Sequence, residues 1–219
     1  KIIDAIIDAV SINIKCATIL SGGFSETGSE GLNLEKQILH IAREGKLRIL
    51  GPNSIGIINI SDSVVLSANA MLDLPNLKKG GLSVISQSGS LIGALIAHGH
   101  SRGIGFSKLF SVGNESDLTV GEIGKMLIDD NDTHTIILFL ETLRNSQEVS
   151  EMARLAYASG KSVITYKLGK SDLGKELAKS HTGAIAGSDE AFNAFVKYNG
   201  IKRVEIFESL IELTNIFKN

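Results

Sequence analysis

A chain of 219 residues exceeds one average domain of ~100–200 residues and has room for one large or two small cores. Its 43% hydrophobic, 21% charged and 5% aromatic content describes a globular protein with an aliphatic core. A net charge of −2 with scattered Lys and Arg leaves no footprint for nucleic acid or an acidic membrane, and the single cysteine excludes a disulfide framework or a cysteine metal site.

No apolar run approaches the ~18 residues of a membrane span, no charged leader with a cleavage site opens the chain, and a cytoplasmic setting is expected. The chain begins Lys1-Ile2-Ile3, already inside an amphipathic pattern, so part of a first domain is expected upstream. A helix through Val10 is followed by a strand at Ala17–Leu20, next to which Cys16 is read as a packing residue. A helix from about Leu34 to Glu44 and strands at Arg48–Leu50 and Ile55–Ile58 complete what reads as the C-terminal half of a Rossmann-like domain. Its opening strand and glycine turn are absent. Leu74-Pro75-Asn76-Leu77-Lys78-Lys79-Gly80-Gly81 combines a proline with a glycine pair and reads as the linker, which divides the chain into residues 1–76 and 77–219.

From there short apolar runs alternate with helical patterns. The predicted strands are Leu82–Ile85, Lys108–Val112, Thr135–Leu140, Ser162–Tyr166 and Val204–Phe207. The helices between them run over about Leu91–His98, over Thr119–Ile128, through Ala158 and through Tyr198, and a final helix closes the chain. Thr135–Leu140 is apolar on both faces, as a strand covered from both sides requires. Five βα units in a row predict a doubly wound parallel sheet of flavodoxin-like kind.

In such a sheet ligands bind outside the carboxyl ends of the strands, and the residues there are small and polar. Ser86-Gln87-Ser88-Gly89-Ser90 would open a helix with exposed N–H groups, an anion site by geometry and dipole; an ordinary Ser N-cap is the plainer reading. Asp117 reads most simply as the N-cap of the helix near Thr119, with a secondary role in positioning ligand or loop. Glu141 puts a carboxylate after six apolar residues, where it has to be solvated in a cleft or paired. After the fourth strand come Lys167, Gly169 and the loop Lys179–Asp189, in which Gly183, Ala184, Ala186 and Gly187 leave room around His181. A solvated His in a Gly-rich connection is the bland alternative. His98 and His100 close a helix, His40 has helical spacing and His134 precedes a strand, so these four are read as structural or surface residues.

Six segments carry a resemblance. Gly22-Gly23-Phe24-Ser25-Glu26, Gly51-Pro52-Asn53-Ser54-Ile55-Gly56, Ser86-Gln87-Ser88-Gly89, Ser111–Asp117, Leu138-Phe139-Leu140-Glu141 and Ser180-His181-Thr182-Gly183-Ala184 follow one another at compatible spacing. Together they closely resemble the NDP-forming acyl-CoA synthetases, relatives of the succinyl-CoA synthetase α subunit, over nearly the whole chain. The resemblance implies an acid-thiol ligase that interconverts acyl-CoA, phosphate and NDP with organic acid, CoA and NTP through an acyl phosphate and a phosphohistidine. It makes His181 the phosphorylated residue and Glu141 the carboxylate that orients it. It makes Ser88, Gly89 and Ser90 the phosphate cradle, and it gives Gly22, Gly23, Phe24, Pro52 and Asn53 to a CoA-binding domain. ATP/ADP or GTP/GDP and Mg²⁺ would come through an ATP-grasp domain or β subunit that the chain lacks, and an oligomer is expected.

Ser54 stands where many relatives carry cysteine, which leaves details of the thiol pocket open. A non-catalytic CoA-sensing module of a protein acetyltransferase is the alternative, against which the presence of both His181 and Glu141 argues. A dinucleotide-dependent dehydrogenase is a third, weakened by the lack of a paired acid and base at the first switch point.

Overall fold

Every position of Thr135–Leu140 is buried, and this run forms a strand near the middle of the larger of two sheets. The computed structural model describes residues 1–69, 77–168 and 188–212. Their order is α1 (Ile2–Ser11), β1 (Cys16–Thr18), a 3₁₀ turn (Ser25–Thr27), α2 (Ser29–Glu44), β2 (Arg48–Leu50), β3 (Gly56–Asn59) and β4 (Val64–Ser67). There follow β5 (Lys79–Ser86), α3 (Gly89–Ser101), β6 (Phe106–Ser111), α4 (Val120–Met126), β7 (Thr135–Leu140) and α5 (Ser146–Ala158). Last come β8 (Ser162–Lys167), α6 (Asp189–Tyr198), β9 (Lys202–Val204) and α7 (Ser209–Glu212).

The seven-stranded sheet has the order β4-β3-β6-β5-β7-β8-β9. Its parallel part, β6-β5-β7-β8-β9, is the 2-1-3-4-5 arrangement of a flavodoxin-like fold. The pleat sends alternate side chains to opposite faces. Ile136, Leu138 and Leu140 of β7 pack with α4, α5 and α6, whereas Ile137 packs with α3 and α7.

The strand read at Ile55–Ile58 does not belong to the first unit. As β3 it pairs antiparallel with β6 (Ile57↔Phe110, Ile58↔Leu109) and turns into β4, which the sequence reading lacked. The larger sheet thus reaches back before the Leu74–Gly81 segment. Periodicity marks a strand but not its sheet, and only the close approach at Gly56, where an added Cβ would lie 1.9 Å from Leu66 O, hints at the hairpin.

The first unit has its own parallel sheet, β1-β2, with α1 and α2 packed on it around Ile6, Ile19, Phe24, Ile38 and Ile49. Cys16 opens β1 and is exposed, so it is not the packing residue its apolar neighbours suggested. Asp117 is not the expected cap. Thr119 caps α4, its side chain accepting from Glu122 N at 3.0 Å, and Asp117 Oδ2 accepts from Ile49 N at 2.8 Å and Arg48 Nε at 3.0 Å. Arg48 also grips Glu122 with Nη1 and Nη2, each at 2.7 Å, so β2 is clamped to α4. No described helix is long and apolar enough to cross a membrane.

Candidate functional site

In a 2-1-3-4-5 sheet the strand order reverses between the first and third strands, and the crevice lies outside their carboxyl ends. Here those ends are Ser86 of β5 and Leu140 of β7, so the crevice falls between Gln87-Ser88 and Glu141. A cleft of about 230 Å³ opens there. Ser88, Gly89, Ser90 and Glu141 line it from the larger sheet, and Leu20 and Asn53 from the first unit.

Ser88 occupies the N-cap position of α3, yet its side chain makes no capping bond. Ser86 holds the turn instead: its Oγ accepts from Ser88 N at 3.1 Å and donates to Ser88 O at 2.7 Å. The Ser88 and Ser90 hydroxyls therefore stand together, 3.3 Å apart, where helix dipole and N–H groups favour an anion. Across from them Glu141 is only 3% exposed. Its N–H donates to Gln87 Oε1 at 2.7 Å, and Gln87 Nε2 donates to Glu115 Oε2 at 2.7 Å. Burial pushes the Glu115 carboxyl above the usual carboxylate range, against the hydrogen bonds from Val120 N and Gln87.

The wall shared by the two units is built on Asn114. Its Nδ2 lies 3.2 Å from Ser25 Oγ, 2.5 Å from Glu26 Oε2 and 3.2 Å from Glu35 Oε2, and its N–H donates to Pro52 O at 2.9 Å. Gly113 permits this approach: at φ +53°, an added Cβ would lie 2.1 Å from Pro52 O. Burial alone would raise the Glu26 carboxyl, but hydrogen bonds from Asn114, Phe24 N and Gly23 N outweigh it and hold the group below its ordinary range.

Of the residues expected from the sequence, Asn53, Ser88, Gly89, Ser90 and Glu141 meet in one cleft. Pro52 is buried in the adjoining turn, where the Gly51-Pro52 bond is cis. Gly22, Gly23 and Phe24 do not line the cleft. Gly22 and Gly23 sit at the exposed surface of the first unit, and the Phe24 ring is 2% exposed in its core. His181 lies outside the described residues. Lys167 is 4% exposed, its ammonium 5.6 Å from the Phe192 ring centre, beside a second cleft of about 260 Å³ that includes Thr142 and Ser188. His40, His100 and His134 are exposed, and His98 Nδ1 lies 2.7 Å from Arg102 Nη1.

Sequence reasoning gave no role to Gln87, Glu35 or Asn114. Gln87 and Asn114 stood inside quoted motifs, so their position was visible, but amide contacts across 28 to 89 residues of chain leave no local pattern. Glu35 lies on an amphipathic helix, where a carboxylate reads as solvated, yet it is 7% exposed.

Residues 79–217 match the family model of the succinyl-CoA ligase like flavodoxin domain. The chain is 37% identical over 204 residues to the ADP-forming acetate–CoA ligase of Methanocaldococcus jannaschii, covering 93% of this chain and 28% of that one. It is 34% identical to the α subunit of ADP-forming acetate–CoA ligase II of Pyrococcus furiosus, covering 93% of this chain and 43% of that one. The dinucleotide-forming acetyl-coenzyme A synthetase 1 of Ca. Korarchaeum cryptofilum, solved with phosphate and ADP, superposes with a TM-score of 0.90 at 29% identity, over 99% of this chain and 46% of that one. The chain thus spans less than half the length of these relatives.

Proposed function

Because the chain belongs to the family of the succinyl-CoA ligase like flavodoxin domain, we propose that it is the CoA-binding and phosphoryl-carrying part of an NDP-forming acyl-CoA synthetase. Phosphate oxygen attacks the thioester carbonyl of an acyl-CoA, the C–S bond breaks, and acyl phosphate and CoA result. His181 then takes the phosphoryl group, releasing the organic acid, and passes it to a nucleoside diphosphate. Run in reverse, the steps make acyl-CoA.

The observation that carries this reading is the cleft at the switch point, where buried Glu141 faces the α3 N-terminus with its paired Ser88 and Ser90 hydroxyls. An uncapped helix start with two hydroxyls suits a phosphate, and preset N–H groups stabilise charge that develops during phosphoryl transfer. Glu141 would orient the imidazole and stabilise its charged form. CoA binding is assigned to the part before residue 77, through the Gly22-Gly23-Phe24 and Pro52-Asn53 turns. Phe24 would contribute backbone there, since its ring is in the core. Nucleotide and Mg²⁺ are assigned to an ATP-grasp domain or subunit.

The chain together with that nucleotide-binding part, given labelled ATP and Mg²⁺, should carry an acid-labile, base-stable label on His181 that His181→Asn abolishes. A label that persists in the variant, or an acid-stable one on Ser180, would overturn the mechanism. CoA binding without any phosphorylation would favour a sensing module.

A further inference from the structure

We propose that Gln87 is a positioning residue, whose side-chain amide fixes the backbone of Glu141 and so the direction in which that carboxylate enters the cleft. The proposal rests on the reading of Glu141 as the group that orients the phosphoryl-accepting imidazole. Gln87 is 6% exposed, and four hydrogen bonds use up its amide. Oε1 accepts from Glu141 N at 2.7 Å and Thr142 N at 3.0 Å. Nε2 donates to Thr142 O at 2.9 Å and Glu115 Oε2 at 2.7 Å. A primary amide has two N–H donors and two acceptor lone pairs, so none remains. Rotating it by half a turn would set N–H against N–H and oxygen against oxygen.

β7 ends at Leu140, so Glu141 and Thr142 have left the ladder. Gln87 replaces the missing strand partner there. Its own backbone is anchored, since its N–H donates to Phe139 O at 3.1 Å. Glu115, 8% exposed, is held in turn by Val120 N at 2.7 Å. A continuous path therefore runs from the first turn of α4 through Glu115 and Gln87 to Glu141. Both donors of Gln87 are committed to protein acceptors, so this side chain has no N–H to offer a phosphate, although it borders the cleft. Its action passes through Glu141.

The test is a double-mutant cycle on the complete enzyme, read as the single-turnover rate of phosphoryl transfer to His181. Gln87→Met should lower that rate roughly 10- to 100-fold, as loss of a supporting hydrogen-bond partner does, with KM for CoA and phosphate within about twofold. In a Glu141→Gln background the same change should cost nothing further, because both act through one carboxylate. Amide exchange at Glu141 and Thr142 should speed up roughly tenfold in Gln87→Met while α3 stays protected. Gln87→Glu keeps the acceptor toward residues 141 and 142 and, with one proton shared between its carboxyl and that of Glu115, gives up only the bond to Thr142 O; there the two amides should stay protected, and where the methionine variant does not fold, loss of that protection in Gln87→Glu would count against the proposal. Full additivity with Glu141→Gln, or unchanged exchange at Glu141 and Thr142 in Gln87→Met, would overturn the proposal. Wild-type rates in Glu141→Gln would instead overturn the reading of Glu141 beneath it.

Discussion

Glu26 shows how one carboxylate ties a turn to a distant loop. It accepts from Gly23 N at 2.5 Å, Phe24 N at 3.1 Å and Asn114 Nδ2 at 2.5 Å, and these bonds hold its carboxyl below the ordinary value although burial acts the other way. A depressed folded-state value means that the ionised form stabilises the fold in full above about pH 4.5, the ordinary value of the group, and that this stability is lost as pH falls through the lower folded value. Glu26→Gln should therefore cost about 1–3 kcal/mol at pH 7, since the bonds from Gly23 N and Phe24 N become neutral ones and the new amide N–H group faces Asn114 Nδ2, from which it cannot accept. The difference from wild type in urea midpoint should shrink steadily below pH 4.5, and a pH-independent difference would refute the assignment. The burial of Glu141 at a cleft was legible in the sequence, because a charge after six apolar residues has to be solvated in a cleft or paired. Gln87 was not, because an amide reveals its task only through its partners. Asp117 misled because Asp before a helix looks like a cap, whereas its partners Arg48 and Ile49 lie 69 and 68 residues away.

At the scale of elements, alternation and apolar runs located β5 to β8 and their helices closely, most sharply β7, whose burial on both faces leaves the unbroken run Ile136–Leu140. β9 proved shifted, to Lys202–Val204, because Phe207 belongs to an aromatic cluster with Phe139 and Tyr166 and not to a ladder. β4 escaped notice because Val64, Val65 and Leu66 are all exposed on the sheet edge and show no inward and outward alternation. The loops joining elements carry the sharper constraint. Gly113 has a positive φ and no room for a side chain against Pro52 O and Asn53 O, whereas Gly160, at φ +70°, has nothing within 4 Å. Gly160→Ala should thus cost only the left-handed strain of about 1–2 kcal/mol. Gly113→Ala should add an overpacking cost of about 1–3 kcal/mol and part the Pro52-Asn53 turn from the 113–116 loop. Chemical denaturation of the two variants checks this, and equal losses would show that the Gly113 loop moves freely.

For the molecule as a whole, the question is why a first unit with two three-residue strands is ordered at all. Among the described residues its own core holds seven buried side chains, too few to hold these residues in place by themselves. β2 resolves this by serving two cores at once: Ile49 points into the first, and the next residue, Leu50, points into the larger core with Val112, Leu118 and Val120. Arg48, one residue earlier, completes the attachment through Asp117 and Glu122. The cleft lies on this seam, so whatever separates the units also dismantles the site. The chain should therefore unfold in one cooperative transition, with calorimetric and van't Hoff enthalpies equal. Leu50→Ala, which removes a fully buried side chain common to both units, should cost about 2–5 kcal/mol and lower the midpoint by roughly 5–15 °C without splitting the transition. Calorimetry that resolved two transitions in the wild type, or a Leu50→Ala variant in which only the smaller unit melted early, would show that the first unit stands on its own core and that the seam is a contact between independent domains.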